Sequence, residues 1–170
     1  MNTYVRPILA IFMMLICIPV FADKDDGDGC KPLGSWLGYD QSGSAWWMTT
    51  TDGQSASHGT LNLEVPGAVN FFPGAFSVTE MRGVWEKFGE DMVAWTVVGF
   101  AYDAAGNSLA LARLSGKSAY SPDCNTEYLT DTFLEVFPPD ANVEIDAPLW
   151  TMAFPDHAGY RVKLVTYDLP

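Results

Sequence analysis

An all-β domain, a single antiparallel β-barrel of about eight strands joined by hairpins, is the fold class this sequence predicts. Three observations carry it. Thr60 to Val65 ("TLNLEV") alternates strictly, with Leu61, Leu63 and Val65 on one face and Thr60, Asn62 and Glu64 on the other. "YRVKLVTYD" repeats the pattern, Tyr160, Val162 and Leu164 opposing Arg161 and Lys163. A period of two is the mark of a half-buried antiparallel strand. Clusters of Gly, Pro, Asn and Asp punctuate such runs at short intervals, and no long segment carries a 3.6-residue period; 11 prolines interrupt most windows.

The chain begins with a segment that precedes this domain. "MNTYVR" carries one basic residue and leads into "PILAIFMMLICIPVFA", an apolar run with small or modest side chains at Val20 and Ala22. This is the pattern of a signal peptide over residues 1–22, so the expected location is periplasmic or secreted, with no stable membrane span after cleavage. An acidic tail over 23–33 follows. Its "DKDDGDG" resembles a calcium loop only in composition, because Gly27 stands where an oxygen ligand is needed and Asp28 where Gly is required. No metal site is expected there, and no cofactor elsewhere.

After the leader, Cys30 and Cys124 remain. In an oxidising compartment an even pair predicts one disulfide. It would close a loop of about 95 residues, for which chain entropy gives on the order of 4–5 kcal/mol. The 21 acidic residues all follow the leader, and the whole chain has a net charge of −12. That charge repels phosphate backbones, so nucleic acid is excluded as a partner.

The barrel domain, residues 34–170, opens at "KPLGSWLGYD", where Gly34-Ser35-Trp36 begins the first strand. Further on, "NFFPGAF" makes a Pro73-Gly74 turn flanked by Phe71, Phe72 and Phe76. Such an apolar turn is packed down or covers an opening. "SVTEMRGVWEKF" holds the one short helix that the pattern allows. "AWTVVGFAYDAAGNSLALARL" reads as a hairpin about Asp103–Gly106. Its register pairs Tyr102 with Asn107, Phe100 with Leu109, Val98 with Leu111 and Thr96 with Arg113. One face then carries Val98, Phe100, Leu109 and Leu111; the other carries Trp95, Val97, Gly99, Ala101, Ala110, Ala112 and Leu114. Neither face is polar, so both need cover. The larger set is expected inside. The Gly/Ala face would meet a helix, a loop or a second subunit in a homo-oligomer; a buried strand of a sandwich would show the same pattern.

Chemistry-bearing motifs are sparse. His58 and His157 form no metal-binding spacing, and neither a nucleophile elbow nor a phosphate-binding glycine loop is present. Asp131 and Glu135 share one face of "TEYLTDTFLEVF". They would lie about 13 Å apart at ~3.3 Å per residue, beyond the roughly 5–9.5 Å of a glycosidase carboxylate pair. Glu135 and Arg113 are candidates to pair inside an apolar pocket, since charge among apolar strands is costly alone. Glu135 and His157 are the candidate proton-transfer groups.

"LGSW" at the start of the first strand, a meander of hairpins and the chain length resemble the calycins, the lipocalin and avidin-type barrels. The resemblance implies a barrel that encloses a small ligand, and in lipocalins an Arg near the barrel's end packs on that Trp. Arg161 is the candidate, although the alternation puts it on the polar face. A second resemblance, of "AYDAAGNSLALARLSG" followed by "TDTFLEVF", is to allene oxide cyclase-type barrels, which implies cyclisation in an apolar cavity without a nucleophile. The expected function is therefore an exported β-barrel binding a small apolar or amphipathic molecule. Trp36, Trp95 and Phe100 are candidate contacts, of which Trp95 and Phe100 cannot both face inward, and Arg113 and Glu135 are candidate polar anchors. The alternatives are a cofactor-independent cyclase, isomerase or lyase, and a structural or subunit-binding protein with a filled core.

Overall fold

In the computed structural model of the protein, the residues described are 30, 32–39, 45–53, 57–89 and 91–162. The signal peptide expected over 1–22, the acidic run before Cys30 and the end of the last alternating segment, from Lys163 onward, lie outside them. The strands are β1 (Gly34–Tyr39), β2 (Ala45–Asp52), β3 (His58–Glu64), β4 (Ser77–Val78), β5 (Met81–Lys87), β6 (Met92–Tyr102), β7 (Ser108–Tyr120), β8 (Thr126–Phe137), β9 (Trp150–Ala153) and β10 (His157–Arg161). They form a closed, eight-stranded antiparallel barrel. Each strand pairs with the next in an up-and-down order, except that β4 is a two-residue flap on β6. β9 and β10 act as one interrupted strand along β8, β9 beside Phe133–Val136 and β10 beside Thr126–Leu129. β10 also pairs with β1 through Trp36, Leu37 and Gly38, which closes the cylinder and leaves no sandwich edge.

Local chemistry explains the elements. β3 has the predicted alternation, with Leu61 and Leu63 buried and Thr60 and Glu64 exposed. Ser77–Phe88 contains no helix but two strands, β4 and β5. Among the described residues the one helix is a 3-10 turn at Pro66–Phe71, started by a proline whose missing N–H costs nothing in a first turn. In the β6–β7 hairpin, Asp103 Oδ1 accepts from the N–H groups of Ala105 (2.9 Å) and Asn107 (2.8 Å), and Gly106 takes φ of 85°. The loop is thus five residues long. An irregularity follows at Ala101/Tyr102, so Phe100 faces Leu111 and Val98 faces Arg113, two residues away from the predicted register.

The faces of this hairpin are the reverse of expectation. Trp95, Val97, Gly99, Ala101, Ala110, Ala112 and Leu114 point inward, while Phe100 is 37% exposed on the outer wall. An eight-stranded barrel is narrow. Bulky rings and thioethers from other strands fill it, and they need small residues opposite: a Cβ on Gly99 would lie 2.9 Å from Met81 Cγ. The Gly/Ala face is therefore internal and is no surface for a second subunit.

β8 reverses its facing midway. Glu127 and Leu129 point inward, then Thr132, Leu134 and Val136. A bulge opposite Gly116 makes the change, with Asp131 in the left-handed region at φ 49°.

Candidate functional site

One end of the barrel is sealed. The predicted disulfide joins Cys30 to Cys124, and Pro32 and Leu33 lie against the opening. Pro32 O accepts from Trp36 Nε1 (3.1 Å) and from the Thr50 hydroxyl. Cys30 N donates to Asp91 Oδ1 (2.7 Å). Trp36 is wholly buried, 5.2 Å from the Tyr120 ring. Arg161 lies over it, Cζ 4.9 Å from the ring centroid, with Nη2 donating to Leu33 O (3.0 Å). The alternation had put Arg161 on the polar face and Tyr160 inside; instead Tyr160 is exposed. A guanidinium on an indole face buries its stem there while Nη2 finds a carbonyl, which offsets part of the cost of an inward Arg.

Glu127, fully buried, sits in this end. Its Oε1 receives a long hydrogen bond from Tyr120 (3.4 Å), and Oε2 has no partner among the described residues. Burial pushes the Glu127 carboxyl up to about 7, against the opposing pull of the Ser118 and Tyr120 hydroxyls and the Arg161 charge. Tyr120 is raised too, by burial and then by Glu127. Trp95 Nε1 donates to Ser118 Oγ (2.9 Å), which links this polar end to the chamber above.

That chamber is an apolar cavity of about 70 Å³, room for roughly five waters at ~10–15 Å³ apiece. Trp46, Met81, Trp95, Leu114, Leu129 and Leu134 form its walls. The 3-10 turn roofs it with Ala68, Phe71 and Phe72. Phe71 meets Phe154 edge to face (5.6 Å), and Phe72 tilts against Trp150 (6.5 Å). Trp46 reaches across the backbones of Gly38 and Gly159, where any Cβ would fall 2.2 Å from the indole. Two polar side chains line the space, Thr132 and His157. The His157 ring is edge-on to Trp46 (5.8 Å), and its Nδ1 lies 3.0 Å from Pro155 O.

The sequence-derived candidates divide accordingly. Trp95 and His157 line the cavity; Trp36 is in the sealed end beneath it. Phe100, Arg113 and Glu135 are on the outer wall. Arg113 and Glu135 do pair, at 2.7 Å, but as cross-strand neighbours on β7 and β8, and Arg113 also donates to Val143 O. Asp131 pairs with Lys117 (2.8 Å) on the same outer face. Both carboxylates serve the wall, because an eight-stranded interior filled with aromatic rings has no room for a solvated ion pair. Sequence reasoning did not single out Trp46, Thr132 or Glu127. The apolar neighbours of Glu127 in an alternating strand were the available signal, and the bulge at Asp131 obscured it.

Fold and site together define a closed antiparallel β-barrel with one sealed polar end and an apolar chamber under an aromatic roof. No known protein family, curated protein or solved structure matches the chain.

Proposed function

We propose that the protein is an exported, calycin-like barrel that binds a small, largely apolar molecule in its interior. The observation that carries this is the apolar cavity beneath the Pro66–Phe76 roof, enclosed by rings rather than by charge. Apolar walls with few polar groups are the usual make-up of a small-molecule site. The calycin likeness draws support from Arg161 over Trp36 in the sealed end, and the export reading from the Cys30–Cys124 disulfide. A volume of about 70 Å³ is less than half that of a ~150 Å³ cavity that holds benzene, so it admits at most one ring, and that only as the roof gives way.

Titration with benzene and toluene tests the reading. Ligand that binds only the folded state raises the melting temperature, and above its dissociation constant the rise grows with the logarithm of its concentration. The expected result is a concentration-dependent rise, with shifts of the Trp46 and Trp95 indole resonances, both abolished by Ala68→Leu, which fills the chamber from its roof. Failure of both probes to move the melting temperature or the resonances overturns the reading.

A further inference from the structure

The polar atoms that the cavity offers share a chemical sense, and this specifies the occupant further. Pro155 O can only accept, so the short contact with Nδ1 places the imidazole proton there in the neutral ring. Nε2 then carries a lone pair, and among the described residues it has no hydrogen-bond partner. Thr132 turns its hydroxyl proton toward Thr130 O at 3.5 Å, which leaves its oxygen as a weak second acceptor. Among the described residues, the wall side-chain N–H that lacks a partner, Trp46 Nε1, is packed over Gly38 and out of reach: a Cβ on that glycine would lie 2.8 Å from it. Among the described residues, no Asp, Glu, Lys or Arg side chain lines the chamber. A charged occupant would thus enter without a counter-charge, and nothing in the walls would offset its desolvation.

We infer that the chamber selects a neutral one-ring molecule bearing a hydroxyl or N–H donor, held by that donor on Nε2 of His157. The inference rests on the cavity-binding reading and names the class of ligand within it. Apolar contact with Trp46, Leu129 and Leu134 holds the ring, and the donor fixes its direction. A ligand that carries only an acceptor, or none, leaves Nε2 unpaired and gains only from the apolar walls.

Phenol, anisole and toluene are probes of similar size that separate these contributions. The measurement is the ratio of dissociation constants between wild type and His157→Leu for each probe. Phenol is expected to weaken by about two- to tenfold, the range of one net hydrogen bond, while toluene and anisole stay within about twofold. His157→Gln, which keeps an acceptor oxygen, is expected to restore part of the phenol affinity. In wild type, phenol should also move the ¹⁵N resonance of His157 Nε2 and toluene should not, a readout that needs no variant to fold. Equal losses for phenol and toluene, or an Nε2 resonance that phenol leaves in place, overturn the donor assignment while the cavity reading stands. If none of the three binds wild type, the cavity reading itself fails and the inference falls with it.

Discussion

The two ends of the barrel are built from opposite chemistry. At the sealed end a disulfide, a cation over an indole and a set of side-chain-to-backbone hydrogen bonds lock Cys30, Pro32 and Leu33 into the opening. At the roofed end the cover is a 3-10 turn whose side chains meet the walls through rings, Phe71 on Phe154 and Phe72 on Trp150. Its backbone is tied mostly to itself, Ala68 N to Val65 O and Ala75 N to Phe72 O, with Phe76 N to Tyr102 O as an anchor on the wall. Apolar contacts are non-directional and re-form after sliding, whereas the sealed end must break directed bonds and stretch a covalent loop. On the proposed binding reading, the roof is where a ligand would exchange.

The largest effect is expected from cutting the covalent tie. Cys30→Ser with Cys124→Ser frees a loop of 94 residues' separation, and the chain-entropy account sets the loss on the order of 4–5 kcal/mol. Denaturant titration would read it as a lower midpoint with a steeper slope, because the unfolded chain without its crosslink is less compact and exposes more surface. The roof should not feel the change: while the double variant remains folded, its toluene affinity should stay within about twofold of wild type. A large loss of affinity would show that the ends are coupled and the contrast between them is wrong.

Glu127 gives the next largest effect and carries a sign. Its folded value of about 7 lies above the ordinary 4.5, so the folded chain holds the proton more tightly than the unfolded chain. The stabilisation is complete below pH 4.5, declines as pH rises and is gone above about 7. The full span is on the order of 3 kcal/mol, at ~1.36 kcal/mol per pH unit. Glu127→Gln stays neutral throughout. It should match wild type near pH 4.5 and exceed it at pH 8, and the pH dependence between them should flatten. An unchanged slope in the variant would place the titration elsewhere and remove Glu127 from the polar end's energetics.

How much of this the amino acids disclosed depended on whether a local pattern was enough. The all-β class, the pairing of Cys30 with Cys124 and the alternation of β3 were legible, because each follows from spacing within a strand or from the count of cysteines. The apolar turn about Pro73-Gly74 was legible only as one that is packed down or covers an opening, and the sequence did not choose between the two. What failed was facing. The β6–β7 hairpin has two apolar faces, and only barrel curvature decides that the Gly/Ala side goes inward, opposite residues such as Met81. Arg161 was assigned outward because charge usually is; the indole that receives it comes from β1, more than a hundred residues earlier. Glu127 was hidden by the bulge at Asp131, which exchanges the two faces of β8 partway along. Arg113 and Glu135 were matched to each other correctly as neighbours, yet neighbours on the outside of the wall.

That outer pair supplies the smallest prediction and sharpens the contrast from a third direction. Arg113 and Glu135 are partly exposed, with side chains 22% and 14% accessible, so water screens much of their attraction. Arg113→Met should cost about 1 kcal/mol, near the upper range for surface ion pairs, because it leaves Glu135 without its cation and frees Val143 O. Adding Glu135→Leu should recover most of that loss, since no half-buried charge then remains unpaired. A double-mutant cycle read by thermal melting measures both steps. Neither variant should alter toluene affinity. If Arg113→Met weakens it several-fold, the outer wall would be shaping the chamber through β7 and β8, and the interior could no longer be treated as the work of the rings and the roof alone.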